Sequence, residues 1–222
     1  MSSGKLIDIV KADIGSYLKG SHQEILFNER DFQMHLATHL KETRHYDDVD
    51  LEYFVPTDML NGYKDLWDSE LRLDILVRKG EEYCPVELKY KTKQIKSSLK
   101  RFGVTVDDVV VVKNQGAQDL GMYGFWKDVK RIEMVKDRFD AVKSGLSVFL
   151  TNDESYKKPS RETSNNREFC MCEGLNPKSK HWQREAKITA AYKGFNLSRD
   201  YYIKWNETDF GGYKFHYCIV EI

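Results

Sequence analysis

Residues 70–91 read ELRLDILVRKGEEYCPVELKYK, and this stretch decides the fold. Side chains alternate faces along a strand. Over 71–77 that alternation sets Leu71, Leu73, Ile75 and Val77 on one face and Arg72, Asp74 and Leu76 on the other. Over 83–90 it groups Cys84, Val86, Leu88 and Tyr90, and leaves Glu87 and Lys89 on the opposite face. Each strand therefore has an apolar face for packing and a charged face predicted to look towards solvent. Between them, Gly80 and Glu81 suit a two-residue type II′ turn, which wants glycine first. Counting back from that turn sets Lys79 opposite Glu82 and Asp74 opposite Glu87, and facing residues have Cβ atoms about 4.5–5.5 Å apart. Two carboxylates so close repel unless a cation or a proton lies between them. A longer loop would shift the register, and Pro85, which cannot donate to a ladder, sits awkwardly in the second strand.

Two hard oxygen donors with open positions suit Mg²⁺ or Mn²⁺, ions that keep waters and take up phosphate oxygens. Such an ion polarises a phosphate and helps generate hydroxide. The amine of Lys89, on the same face, is placed to position the water or to stabilise developing negative charge. The plain alternative is a salt bridge on a solvated strand face, since structural charge networks assemble the same groups. A second Glu-x-Lys, Glu185 with Lys187, has no aspartate on a neighbouring apolar strand and is set aside as a chance match.

Outward from this hairpin, 1–20 is predicted as an amphipathic helix (Leu6, Ile9, Val10, Ile14) packed on the outside. Asn28 is expected to cap a helix to about Thr43, with Phe32, Leu36, Ala37 and Leu40 in one stripe. A strand is predicted over 49–55. The lysine-rich 89–101 is expected to end as a short helix with Ile95, Leu99 and Phe102 inward. A buried strand follows over 108–113, then a long helix over 115–139 with Phe125, Val129, Ile132 and Phe139 on one face. A strand over 145–150 and an exposed polar loop over 152–167 come next. Strands near Phe169, over 201–205 and over 213–220 would extend the sheet or form an appendage.

With 222 residues, a hydrophobic share of 41% and 35 basic against 35 acidic residues, the chain suits one domain with a real core. Its neutral balance says nothing about partners. The apolar run 109–112 falls far short of the roughly 20 residues a membrane span needs. The N-terminus lacks the features of a signal peptide, so a cytoplasmic protein is expected. Cys84, Cys170, Cys172 and Cys218 are then expected to be reduced thiols. A zinc site from Cys170, Cys172, His216 and Cys218 would need pairs spaced by one residue, whereas structural zinc usually uses two to four.

The segment LDILV…CPVELKYK resembles the PD-(D/E)xK nuclease superfamily, with its restriction-endonuclease-like fold, over about 28–150. The resemblance implies an α/β fold: a helix, three antiparallel strands, a helix and a further strand, forming a mixed central sheet flanked by helices. Residues 1–27 would be an N-terminal helix and 151–222 a β-rich C-terminal extension of one domain. It implies Asp74 and Glu87 as metal ligands and Lys89 as the water-orienting lysine. Leu73 stands where the name motif has proline. Glu29, on the helical face that carries Phe32, Leu36 and Leu40, is implied as a third carboxylate near the metal, against the plainer reading of an acid in the first turn favoured by the helix dipole. Gln115 or Gln118, with Gln115 the slightly preferred of the two, is implied as a polar residue near the site on the helix after the core strands. Asp128 and Arg131 can pair across one turn of that helix.

No acidic residue occurs between Glu87 and Asp107, while Lys91, Lys93, Lys96, Lys100 and Arg101 follow Lys89. Such a strip leads away from the site as a phosphate backbone would need, although a lysine run is also the ordinary make-up of a solvated face. The expected function is a Mg²⁺-dependent (or Mn²⁺-dependent) nuclease that hydrolyses phosphodiester bonds of DNA by metal-activated water attack. The alternative is a non-cutting or partner-dependent DNA-binding module of a restriction or repair assembly. A homodimer or a larger assembly is compatible with either.

Overall fold

The computed structural model describes residues 5–184 and 187–222, without the side chains of 187 and 188. Residues 1–4 of the expected first helix and the Glu185 of the second Glu-x-Lys match lie outside the described residues. Five helices are described: α1 (Leu6–Lys19), α2 (Glu29–Thr43), α3 (Tyr63–Leu66), α4 (Gln118–Arg138) and α5 (Lys187–Ala190). The strands are β1 (Asp48–Val55), β2 (Leu71–Lys79), β3 (Glu82–Lys91), β4 (Ile95–Arg101), β5 (Val104–Val112), β6 (Leu146–Thr151), β7 (Gly174–Asn176), β8 (Ser179–Lys180), β9 (Phe195–Asn196), β10 (Tyr201–Ile203), β11 (Asn206–Phe210) and β12 (Tyr213–Glu221). Six of these form a mixed central sheet in the order β1-β2-β3-β6-β12-β11. Only the β3–β6 pair is parallel; its neighbours run antiparallel. Parallel neighbours need a crossover, and the β4–β5 ribbon and α4 supply it.

Both faces of the sheet are covered. On one side, α1 and α2 bury Val10, Ile14, Phe32 and Leu36 against Ile75, Val86, Leu88 and Val148. On the other, Phe125, Trp126, Val129 and Ile132 of α4 pack with Leu71, Leu76, Phe149 and Val220. β6 is buried along its whole length, as a strand between two helical layers must be. The first helix therefore belongs to the core instead of lying outside it: Leu6, Ile7, Val10 and Leu18 are all buried. The C-terminal part both extends the sheet, through β11 and β12, and adds the short β7–β10 and β8–β9 ladders. Within 152–167, expected to be exposed, Asp153 and Tyr156 are buried. Phe169 lies in a 3₁₀ turn, not a strand. No helix among the described residues is long and apolar enough to cross a membrane.

Local chemistry explains where α2 and the β2–β3 hairpin form. Asn28 Oδ1 accepts the Asp31 N–H at 2.9 Å, and the Asp31 carboxylate takes the Phe27 N–H at 3.0 Å, a reciprocal cap of the helix start. Arg44 closes α2 in the left-handed region at φ 56°. Gly80 takes φ 59°, and Lys79 pairs with Glu82, as the II′ turn requires. Pro85 faces Leu76. Counted from the closing pair, this is a non-hydrogen-bonded position, so the missing N–H points towards β6. The parallel ladder with β6 begins only at Val86, and the proline is tolerated.

Two expectations fail downstream. Residues 95–101 are a strand, not a helix: β4 pairs with β5 in a two-stranded ribbon, and Phe102 is fully exposed at its turn. The strand expected to be buried over 108–113 is mostly exposed, with only Val111 and Val112 buried. The four cysteines are free thiols.

One buried carboxylate ties the C-terminal segment to α4. Glu133 Oε1 accepts from the Ser198 N–H (2.8 Å), the Ser198 hydroxyl (2.6 Å) and the Tyr201 hydroxyl (2.9 Å). Glu133→Ala would strand these donors and is expected to cost about 3 kcal/mol. A thermal melt checks this; an unchanged midpoint would show that the network does not hold the segment.

Candidate active site at the β2–β3 notch

The β2–β3 ladder runs from Lys79–Glu82 to Ile75–Val86 and then stops. Continued regularly, it would send the Leu88 N–H to the carbonyl of Leu73. Instead Asp74 Oδ2 takes that N–H at 2.6 Å, and the next N–H on the same edge, that of Tyr90, goes to Glu29 Oε2 at 2.8 Å. Two carboxylates thus cap the edge of β3 where β2 peels away.

Asp74 is irregular on its other side too. Its carbonyl accepts from the Gln33 amide at 2.7 Å, and the same amide reaches Glu52 at 3.0 Å. Glu52, at the place on β1 facing Asp74, has φ 52° and drops out of the ladder. The alternation expected for 71–77 breaks here. Ile75 and Val77 face α1 and α2, while Leu71 and Leu73 join the core on the α4 side.

The notch holds the residues that alternation brought together. Asp74 and Glu87 lie within hydrogen-bonding reach of each other. Burial, with the nearby Asp128 charge, pushes the Asp74 carboxyl up to about 6 against the pull of the Leu88 N–H and Lys89. Burial, then Asp128 and Asp74, raise Glu87 well above the carboxylate range. Glu87 is 3% exposed, and its Oε1 has no hydrogen-bond partner. The expectation of a solvent-facing strand face therefore fails at Glu87, which α4 covers, while Asp74 and Lys89 are half-buried and Arg72 is exposed. An orphaned, buried carboxylate oxygen beside a second carboxylate is a donor arrangement that a hard divalent cation satisfies.

Lys89 Nζ sits 2.9 Å from Asp128 Oδ2, and Arg131 is 3.6 Å from the other oxygen of the same carboxylate. Burial lowers the Lys89 pKa, but the Asp128 and Glu29 carboxylates outweigh it and hold the amine above the ordinary lysine range. On the outer side of Asp128, burial and the Arg131 charge pull Lys127 down to about 8.

Other site expectations need correction. Glu29 reaches the notch but spends its carboxylate on the backbone, and no group of three His, Cys, Asp or Glu side chains able to hold a metal occurs among the described residues. Asp74 likewise gives one oxygen to a backbone N–H, so this bond does not set Glu29 apart from Asp74 and Glu87, while Cys170, Cys172, His216 and Cys218 are not gathered into a zinc site. Gln115 lies before α4, not on it, and its N–H closes the base of the ribbon on the Thr92 carbonyl at 2.7 Å. Of the cationic strip, Lys93 pairs with Asp153 and Lys96 with Asp108. Lys91 is half-buried, while Lys100 and Arg101 are exposed.

Sequence reasoning paired Asp128 with Arg131 but did not place it at the site. The signal was there: 125, 128, 129 and 132 fall on one helical face, so an aspartate sat among residues already assigned to the core. Gln33 and Glu52 had no comparable signal. The chain matches no protein-family model, no curated protein and no solved structure.

Proposed function

We propose that the chain is a metal-dependent nuclease of the PD-(D/E)xK type that hydrolyses DNA phosphodiester bonds. The observation that carries this reading is the Asp74–Glu87 pair in the β2–β3 notch, with raised pKa values, an unsatisfied Glu87 oxygen and Lys89 two residues further along the strand. The element order also supports a restriction-endonuclease-like core: α2, then antiparallel β1, β2 and β3, then α4, then β6 parallel to β3.

Asp74 and Glu87 would hold the ion, which supplies polarisation of the phosphate and a water of lowered pKa. Mg²⁺ is commonly bound through one or two carboxylates, with waters and substrate phosphate completing its shell, so two protein carboxylates suffice. Leu88 N–H fixes the Asp74 carboxylate, and Gln33 fixes its backbone. Lys89, held charged by Asp128, presents an ammonium beside the reacting phosphate to orient water and offset developing charge. Lys100 and Arg101 would contact the backbone of the DNA.

One observation favours the partner-dependent reading. The Lys89 amine is tied to Asp128 at 2.9 Å and Glu87 is almost wholly covered, so cutting would await a partner or substrate that opens the notch.

The deciding experiment incubates the chain with plasmid, linear and single-stranded DNA in Mg²⁺, Mn²⁺ or EDTA, with Lys89→Ala as the control. Metal-dependent cutting lost in Lys89→Ala is the expected result. Salt-sensitive DNA binding with no cutting in any condition would select the binding module instead.

A further inference from the structure

We propose that the β4–β5 ribbon is a DNA-engaging arm and that Phe102, at its tip, is a wedge that inserts between bases of the duplex held at the notch. The inference rests on the nucleic-acid reading above and extends it to how the substrate is gripped and deformed.

The ribbon grows directly from the site. β3, which carries Glu87 and Lys89, ends at Lys91. The Thr92 hydroxyl then donates to the Lys113 carbonyl at 2.9 Å, and the Lys93 N–H donates to Asn152 at 2.7 Å. The first bond closes the base of the arm and the second ties it to the residue after β6, the parallel neighbour of β3. A strand of the length of β4 reaches about 20 Å.

Its tip is built against ordinary turn preference. Arg101 pairs with Val104, so Phe102 and Gly103 are the two central residues, with φ 50° and 84°. Both positions are left-handed, the type I′ arrangement that favours Asn-Gly. Gly103 fits. A bulky aromatic at the first position is a true outlier, and no packing compensates it, because the Phe102 side chain is fully exposed at 104%. Neither turn chemistry nor the core accounts for a phenylalanine there. Strain of this kind gathers where function needs it.

The surroundings specify the occupant. Lys100 and Arg101 precede the ring and are exposed, while the acids of β5 are engaged, Asp107 by Ser98 at 2.6 Å and Asp108 by Lys96 at 2.9 Å. Arg101 also stacks over Phe27 at 5.0 Å, two residues before Glu29, whose carboxylate caps β3 beside Lys89. The tip is thereby tied back to the rim of the notch. β-ribbons dock in either groove, and in the minor groove apolar wedges accompanied by Arg and Lys unstack base steps in duplexes that are being bent. Val104 and Val106 are exposed beside the ring as well, so a lipid surface is the competing occupant; DNA is favoured because the ribbon grows from the strand that carries Glu87 and Lys89.

The test uses the full chain carrying Lys89→Ala, so that binding is read without cutting, and a duplex containing 2-aminopurine. Adding Phe102→Asn is expected to weaken binding roughly tenfold, in keeping with the worth of a base–aromatic contact, and to abolish the fluorescence change of the unstacked base. Phe102→Trp should keep both. Phe102→Asn should also melt at the same or a higher temperature, because asparagine suits the left-handed position; a structural role would lower it. Unchanged binding and fluorescence in Phe102→Asn, with cutting intact in the otherwise native chain, would overturn the wedge and leave the nuclease reading standing. Phe102-dependent unstacking without any cutting by the native chain would support the wedge and overturn the catalytic reading. Phe102-dependent binding to phosphatidylserine vesicles, with no DNA binding, would overturn both.

Discussion

Glu87→Gln should lower metal-dependent DNA cleavage at least about 100-fold, the scale of losing a ligand to a catalytic ion, and should make the metal-free protein more stable at pH 8. The second half follows from linkage. Glu87 and Asp74 have folded pKa values above their ordinary ones, Asp74 at about 6. The folded state thus holds these protons more tightly than the unfolded chain does. That stability is fully present below the ordinary carboxylate range and is lost as pH rises through the folded values. For Asp74 the shift corresponds to on the order of 3 kcal/mol. The melting temperature of the metal-free native chain should fall by several degrees between about pH 4 and pH 7. Glutamine at 87 removes one of the two facing charges, so the fall should shrink. Mg²⁺ should restore stability to the native chain at pH 8 and do little for the variant. Full cleavage by Glu87→Gln, or a melting temperature indifferent to pH across this window, would remove the site from the account.

Asp128→Ala is expected to be the most damaging single change on α4. Asp128 is 3% exposed and faces two cations, Lys89 at 2.9 Å and Arg131 at 3.6 Å. Removing one partner of a buried ion pair leaves uncompensated charge and costs about 3–5 kcal/mol, a fall in melting temperature on the order of 10 °C. Cleavage should drop as well, since Asp128 holds Lys89 in place and charged. Asp128→Asn, with the same shape and one acceptor oxygen, should lie between. If the damage comes from the stranded cation, combining Asp128→Ala with Lys89→Met should recover part of the stability, and a double-mutant cycle reads that coupling directly. Additive losses would mean that the two side chains do not act as a pair.

The core of the candidate site was legible because its determinants are local. Strand alternation has a period of two, Gly80 sets the turn, and together they place Asp74 next to Glu87 before any tertiary contact is known. The cap of α2 by Asn28 and the apolar stripe of α4 are local in the same way. Residues 95–102 misled for an instructive reason. Ile95, Leu99 and Phe102 fall at helical spacing, yet a partner strand ten residues on and the Phe102–Gly103 turn make the segment a ribbon.

Sequence by itself determined the order of the strands in the hairpin, its register and the identity of the paired carboxylates and lysine, because each depends on neighbours within about ten residues. Only the tertiary structure decided that Glu87 is buried beneath α4, that Asp128 holds Lys89, that Glu29 caps the Tyr90 N–H and that Gln33 takes the Asp74 carbonyl. Those contacts join residues 39 to 61 positions apart. No local preference encodes them, since they arise from where packing of the two helical layers on the sheet leaves polar groups in need of partners.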